Sequence, residues 1–285
     1  LLTKYKANKD AAETGVSAAK DELTKAVFGP DKKEFDKTRF EQNAGVKRNK
    51  ICGSSDPGDA EAAKGVAEAL ICICTGEASI ATTECDNTLT GQVQDNAPGQ
   101  DTAAETAWNN IKCRCELLSG PKVLNAATIA ALQETAASRI GILNSGRTAV
   151  NGRYTIGKAN TNACAGAAGA TQCVNYKKQL TGSKPGILWV NALHDASSEL
   201  TQAEAKDAEA QAIAATINEL ATQARTAYTA SAHDIAKPIQ VAQTIATTTS
   251  KVTIEADCNK HTERNDCTTP CKWNEDANDK NKNAH

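Results

Sequence analysis

The sequence predicts a mainly α-helical fold, an elongated coiled-coil bundle of long helices with disulfide-held lobes. Two long segments with apolar residues at helical spacing predict the bundle, and 11 cysteines predict the disulfides. Short alternating segments add small β-hairpin elements, and the last part of the chain predicts a small cysteine-rich C-terminal module.

The stretch from Ser197 to about Lys237 contains no glycine and no proline, which favours one long helix. At about 1.5 Å per residue, a helix over this stretch is roughly 60 Å long, and its thin apolar stripe needs a partner helix along its length. Thr201 and Glu204 have the spacing of a capping box near its start. After a first step of seven, the stripe recurs every three or four residues, at Ala203, Ala210, Ile213, Ile217, Leu220, Ala224, Ala227 and Ser231.

A second long helix is predicted from Leu1 to Phe28, where Gly29 and Pro30 end it. Its apolar stripe is similar to that of the longer helix. We therefore expect the two helices to pack along each other at a shallow angle, or copies of the chain to pair as a homodimer. The residues expected to form this dimer or coiled-coil seam are Val16, Leu23, Ala210, Ile213, Ile217, Leu220 and Ala224.

The segment between the long helices predicts shorter elements. Helices are expected over Asp59–Thr75, from Asp101 to the turn at Ser119, and over Asn125–Ile140. Residues 141–186 are rich in Gly, Asn and Thr and predict irregular structure with one small hairpin. Because recognition usually resides in loops at the end of a rigid scaffold, we expect the functional surface in this region.

The cysteines indicate an oxidising, extracellular compartment. Cys164 and Cys173 lie close in sequence and predict a local disulfide, while the other pairings stay open. A zinc site is the alternative, but C-x-C spacing matches zinc ligation poorly. The odd count leaves one thiol free or paired outside this chain. The disulfide candidates are Cys52, Cys72, Cys74, Cys85, Cys113, Cys115, Cys164, Cys173, Cys258, Cys267 and Cys271.

A change in composition after a Thr-rich linker predicts a domain boundary near residue 250. Residues 1–250 form the first domain and residues 251–285 the start of a small disulfide-rich domain, which has too few apolar residues for a core of its own. The C-terminal cysteines and His261 suggest a zinc finger as the alternative. A four-cysteine disulfide module that lacks its last cysteine explains the spacing better.

Other functions have little support. The net charge of −2 gives no basic surface for nucleic acid, and the run from Lys47 to Lys50 is interpreted as a solvated face. The pairs His194-Asp195 and His233-Asp234 are sequence neighbours, which point apart on a helix and do not form a dyad. No nucleotide-binding or hydrolase motif is present. We therefore expect no enzyme activity, metal, cofactor or small-molecule substrate.

The order of these features resembles the variant surface glycoproteins of African trypanosomes. The resemblance covers nearly the whole chain, and its C-terminal segment is the most specific part. It rests on the helix before Cys52, the segments Ala69-Leu70-Ile71-Cys72-Ile73-Cys74, Trp108-x-x-Ile111-x-Cys113, Cys173-x-x-Tyr176 and Ile187-Leu188-Trp189-x-x-Ala192-Leu193, Cys85, and Cys258 with Cys267 and Cys271-Lys272-Trp273.

The resemblance implies an elongated homodimer on coiled-coil helices, with lobes held by disulfides and a C-terminal domain that carries a glycosylphosphatidylinositol (GPI) lipid anchor. Relative to that family, the first domain lacks an upstream helical part, and the anchor lies outside this chain. The implied location is the outer face of the plasma membrane. The implied role is a coat glycoprotein that shields the parasite membrane, faces host antibodies and varies antigenically.

A surface receptor or serum-factor-binding protein built on the same fold is the alternative. A receptor needs an exposed apolar or aromatic patch on its loops. Residues 141–186 contain only two aromatic residues, Tyr154 and Tyr176. This scarcity favours the coat protein.

Overall fold

The computed structural model describes residues 1–55, 58–77, 85, 89, 91–118, 124–142, 153–159, 164–166, 172–183 and 186–233. The chain divides into two compact units, residues 1–224 and 225–285. The described part of the second unit is the end of a helix, residues 225–233. The predicted C-terminal domain, with Cys258, Cys267 and Cys271, lies outside the described residues, and the boundary near residue 250 stays a prediction.

The described residues are mainly α-helical, as the sequence predicts. The elements are α1 (Leu2–Phe28), a 3₁₀ helix (Lys37–Phe40), α2 (Arg48–Cys52), α3 (Val66–Cys74), α4 (Gln100–Leu118), α5 (Ala126–Ser138), β1 (Thr155–Gly157), β2 (Cys173–Asn175), α6 (Lys177–Leu180) and α7 (Leu188–His233). The two strands form an antiparallel pair in which Ile156 faces Val174. The predicted small hairpin is therefore confirmed.

The two long helices pack along each other in antiparallel directions. Near the start of α1, Asn8 Nδ2 donates to Glu209 Oε2 at 3.1 Å and Lys9 Nζ donates to Asp207 Oδ1 at 2.7 Å. About two turns further along α1, a Cβ atom on Gly15 would lie 3.0 Å from the Ala203 Cβ. As residue numbers rise along α1 they fall along α7, so the predicted pairing of the two helices within one chain is confirmed.

Small residues form the contact between α1 and α7. Ala12, Ala19 and Ala26 are buried along α1, and Ala203 and Ala210 along α7. The first half of α5 joins them where Ile129 packs with Ala19 and Leu200. Short side chains allow the helix axes to approach closely. Close contact between the helices therefore takes the place of large apolar side chains in the packing.

The predicted seam residues divide into two sets. Ala210 is buried, Leu23 packs beside the Ala19 cluster, and Ile213 and Ile217 are half-buried. By contrast, Val16 is 52% exposed, Leu220 is 49% exposed and Ala224 is exposed. These three residues therefore do not pack in a seam within one chain. Val16 lies outside the inner face of α1, which Asn8, Gly15 and the alanines form, and Leu220 and Ala224 lie beyond the stretch of α7 that α1 covers in this register. A seam between copies stays a prediction.

The long helix begins earlier than predicted. Helix α7 starts at Leu188, and its first turns belong to the core through Trp189 and Ala192. The predicted capping box near Ser197 is wrong, because Thr201 Oγ1 donates to the Ser197 carbonyl inside the helix. Its predicted partner, Glu204, accepts a hydrogen bond from the Ala126 backbone N–H at 3.2 Å.

Helix α3 is shorter than predicted. It begins at Val66 rather than Asp59, because Asp59 accepts a hydrogen bond from the Glu61 N–H and forms a turn. Gly65 then lies against the end of α1, where a Cβ atom would be only 2.6 Å from the Val27 carbonyl oxygen. This close approach requires glycine and sets the start of α3.

The close approach at Gly15 gives a stability prediction. Gly15→Leu should lower the free energy of unfolding by about 1–3 kcal/mol relative to Ser17→Leu, because the larger side chain overpacks the contact with Ala203. Ser17 is exposed on the same helix and controls for the higher helix propensity of leucine. Urea denaturation measures the difference. Equal stability of the two variants would contradict the helix contact.

Candidate functional site

Three disulfides hold one lobe of the protein together. We call this the disulfide-held lobe; it comprises α2, α3, α4, the hairpin and the first turns of α7, which share one buried apolar cluster. The disulfides are Cys52–Cys72, Cys74–Cys85 and Cys164–Cys173, with Cα–Cα distances of 5.5, 5.3 and 5.0 Å. The predicted local disulfide is confirmed, and four further candidates form the other two.

Two other candidates lie on the outer side of α4. The inner side of this helix carries Ala104, Ala107 and Ile111, all buried in the lobe. Cys113 is an exposed free thiol, and Cys115 is also exposed. Neither cysteine is among the three disulfides described above. The Cys113 thiol is free in the described structure because the helix turns this side chain away from the core, and its pairing outside the described residues stays a prediction.

Arg48 is buried at the centre of the lobe. Its Nη1 donates to the Ala165 carbonyl at 2.8 Å and its Nη2 to the Thr75 carbonyl at 3.0 Å. Gly166 has a φ of 74°, and a Cβ there would collide with the guanidinium group. The side chain thus joins α2, the end of α3 and the segment that follows Cys164.

The electrostatics of Arg48 follow from its burial. Burial lowers its pKa to about 10, and the nearby charges of Glu77 and Asp95 partly oppose this shift. The group stays charged at neutral pH, so it donates from both terminal nitrogens. The sequence interpretation of residues 47–50 as a solvated face is wrong for Arg48, which is 1% exposed. Lys50, two residues later, is exposed as expected.

A second buried charge lies on α3. Glu68 is buried, its Oε1 lies 2.6 Å from the Arg39 Nε, and its Oε2 accepts from the Lys64 N–H at 2.8 Å. Burial raises the pKa of this carboxyl group, and the charge of Arg39 partly offsets the rise. The pair connects the 3₁₀ helix to α3.

The start of α7 is held in the lobe by a buried hydrogen bond. Trp189 Nε1 donates to the Tyr176 hydroxyl at 2.8 Å, and the hydroxyl donates to the Ala63 carbonyl at 3.4 Å. Burial raises the pKa of Tyr176, so its hydroxyl stays protonated as a donor. The two aromatic residues that the sequence analysis singled out near β2 and α7 therefore have a structural role.

The second half of α7 presents an exposed apolar face. From Ala215 onward the described side chains are exposed, except for the half-buried Ile217. Leu220 and Tyr228 are among the largest exposed apolar side chains, and Tyr228 is 77% exposed. We call Ile213, Ile217, Leu220 and Ala224 the α7 face; their spacing places them on one side of the helix.

The described residues contain no catalytic arrangement among those that the sequence suggested. His194 and Asp195 are both exposed on α7, and the side chains of His233 and Asp234 lie outside the described residues. No group of three or more His, Cys, Asp or Glu residues in the described part of the chain has the geometry to hold a metal ion. Among the described helices, none combines the length and hydrophobicity that a membrane span requires.

Long paired helices with a disulfide-held lobe define a helical, disulfide-containing domain, and the comparison with known families agrees with this class. The family model described as the trypanosomal VSG domain matches residues 1–219. The chain belongs to this family.

A curated relative shows the same relationship. The chain is similar to the variant surface glycoprotein ILTAT 1.25 of Trypanosoma brucei brucei, with 28% identity over 271 residues. The match covers 90% of this chain and 51% of the relative, so the chain spans about half the length of that protein. The family resemblance predicted from the sequence is confirmed.

The buried arginine gives a test of the lobe. Arg48→Met should lower the free energy of unfolding by about 1–3 kcal/mol for each carbonyl left unpaired, at Thr75 and Ala165. The matched control Lys50→Met changes an exposed side chain on the same helix and should have little effect. Denaturant unfolding with the disulfides intact measures both variants. Equal stability of the two variants would show that Arg48 does not hold the lobe together.

The cysteine assignment gives a chemical test. Treatment of the native, unreduced protein with a maleimide should modify Cys113, because its thiol is exposed and free. Cys52, Cys72, Cys164 and Cys173 should react only after reduction. Peptide mapping by mass spectrometry locates the label. An unlabelled Cys113 with a disulfide-linked peptide would restore the sequence prediction and contradict the structure.

Proposed function

We propose that this chain is part of a coat glycoprotein that shields the plasma membrane of a trypanosome and undergoes antigenic variation. The match of the VSG domain model to residues 1–219 carries the proposal. The relative named above is a variant surface glycoprotein by its printed name, and the proposal extends this role to the present chain. Host antibodies are the expected binding partners.

The physical arrangement supports a non-catalytic role. A shield needs a rigid scaffold and a surface that tolerates sequence change. The paired helices α1 and α7 supply the scaffold, because their backbones approach each other closely. The three disulfides hold the lobe together without a large apolar core. Surface segments between fixed anchor points can then vary with little effect on the fold.

We also propose that two copies of the chain associate through the α7 face. The face carries Leu220 as a large exposed apolar side chain, at the spacing of a coiled-coil stripe. A second copy of α7 would bury it. The half-buried Ile213 and Ile217 extend the same stripe toward the part of α7 that α1 covers.

The proposed location is the outer face of the plasma membrane. A lipid anchor outside this chain, following the C-terminal domain that begins near residue 251, would attach the protein. Such an anchor needs no membrane-spanning helix in the mature protein. The surviving alternative role is a receptor or serum-factor-binding protein on the same fold.

The test of the coat function is the abundance of this chain on native cells. Cells are treated with a phospholipase that cleaves lipid anchors, and the released protein is quantified by mass spectrometry. A coat protein should dominate the released material. Release in small amount would overturn the coat proposal in favour of the receptor, and no release would overturn the proposed anchor.

The proposed dimer has its own test. Leu220→Asp should shift the sedimentation of the chain from dimer to monomer, because a charge without a partner is unfavourable in an apolar interface. The control Asn218→Asp adds the same charge to an exposed position two residues away and should leave the dimer intact. Circular dichroism establishes that both variants keep their helices. A monomeric unmodified chain, or a dimeric Leu220→Asp variant, would contradict the proposed interface.

A further inference from the structure

The three disulfides of the described residues differ in their access to solvent. Cys85 is exposed, whereas its disulfide partner Cys74 is only 3% exposed. The cysteines of the other two disulfides are each 0% exposed: Cys52, Cys72, Cys164 and Cys173. Of the six cysteines in these disulfides, Cys85 is therefore the one that a molecule dissolved in the surrounding water can reach.

We propose that Cys85 is a thiol-modification site, where a small soluble thiol exchanges with the Cys74–Cys85 disulfide and becomes attached to Cys85. The substrate class is a monothiol of low molecular weight, for which glutathione and 2-mercaptoethanol serve as probes. The proposal does not depend on the coat function. It rests on the exposure of Cys85, the burial of Cys74 and the contacts that hold the lobe when this disulfide opens.

The chemistry of the site is thiol–disulfide exchange. A thiolate attacks one sulfur of a disulfide and forms a mixed disulfide, at a rate that depends on its access to that sulfur. Here the bond between the incoming sulfur and Cys85 Sγ forms as the bond between Cys85 Sγ and Cys74 Sγ breaks. The electron pair of the broken bond goes to Cys74 Sγ, which then takes up a proton. One disulfide replaces another, so the step needs no external oxidant.

The thiol released on Cys74 stays inside the lobe. Cys74 belongs to the buried apolar cluster, and a free cysteine packs there as a small hydrophobic residue. A cavity of about 10 Å³ lies beside it, lined also by Leu89, Ala107 and Ile111. This cavity has room for about one water molecule, so a dissolved thiol does not reach Cys74 through it. Attack is therefore directed to Cys85.

The chain on both sides of Cys85 keeps other attachments to the lobe. Before it, the Glu77 N–H donates to the Gly166 carbonyl at 3.0 Å. After it, the Val93 N–H donates to the Gly76 carbonyl at 3.0 Å, and Val93 is 0% exposed in the apolar cluster. The other two disulfides remain closed. Exchange at Cys85 thus changes the chemistry of the lobe surface while the lobe stays folded.

The two buried disulfides provide an internal comparison. A dissolved thiol reaches their sulfurs only after the lobe opens, and opening of a packed region costs free energy that slows the exchange. Exchange at the Cys74–Cys85 disulfide of the folded chain should therefore be at least about tenfold faster than at either buried disulfide.

Peptide mapping of the full chain, starting with its disulfides intact, tests the proposal. The chain is incubated at about pH 8 with glutathione or, separately, with 2-mercaptoethanol, because the thiolate is the attacking form. Samples taken over time are quenched in acid, unfolded and alkylated with N-ethylmaleimide. Mass spectrometry then locates the attached thiol and each new cysteine thiol, and circular dichroism follows the helices in parallel samples. The same reaction in urea, where all three disulfides should exchange at similar rates, is the control.

The proposal predicts one first product in the folded chain. This product carries the small thiol on Cys85 and a new thiol on Cys74, with an unchanged circular dichroism spectrum. An attached thiol on Cys74, equal rates at all three disulfides, or no exchange before the helices are lost would each overturn the proposal.

A variant tests whether the small thiol acts directly. Cys113 is an exposed free thiol on α4 and is the described group that could relay the exchange. Cys113→Ser removes this thiol at an exposed position, so the helix should remain and the rate of attachment to Cys85 should be unchanged. Loss of attachment to Cys85 in a folded Cys113→Ser chain would show that Cys113, rather than the dissolved thiol, opens the disulfide, which would overturn the proposal.

Discussion

The antiparallel contact of α1 with α7 through small residues is the constraint on which the rest of the structure depends. Aromatic residues make up 4% of the sequence, so the helices cannot rely on large side chains for burial. Each alanine contributes little apolar area, and the contact is stabilising only if many of them meet at short distance along the helices. Gly15 and Ala203 set this distance. The ion pair of Lys9 with Asp207 and the hydrogen bond of Asn8 with Glu209 then favour one register.

The disulfide-held lobe uses a different means of stabilisation. Apart from α4 and α7, its helices and strands are short, and the disulfides restrict their unfolded states. Buried charges complete the arrangement, because Arg48 pairs with two carbonyls and Glu68 pairs with Arg39. Trp189 connects this lobe to the first turn of α7. The scaffold and the lobe are thus joined by one continuous helix, so the geometry of the surface segments depends on the helix pairing.

The sequence predicts the long helices, the hairpin and the local disulfide because each depends on residues close together in the chain. It reveals the inner face of α1 only in part: Leu23 packs against the Ala19 cluster as predicted, but Asn8 and Gly15 are not apolar, and Val16, which the apolar pattern included, is exposed. The burial of Arg48 depends on a contact with Ala165, far away in the chain, which no local pattern records. The exposure of Cys113 has a similar origin, because C-x-C spacing does not say which side of α4 faces the core. The family resemblance was recognisable from the order of the cysteines and helical segments along the chain.

A cross-linking measurement tests the pairing of α1 with α7 most directly. Cysteines are introduced at Gly15 and Ala203, whose Cβ positions are in contact, and in a second protein at Gly15 and Ala210, about 10 Å further along the helix. Non-reducing peptide mapping of the monomer fraction identifies the linked peptides. The account predicts that Gly15→Cys with Ala203→Cys forms a disulfide within one chain and that Gly15→Cys with Ala210→Cys does not. Efficient linkage in the second protein, or its absence in the first, would contradict the antiparallel register on which the fold depends.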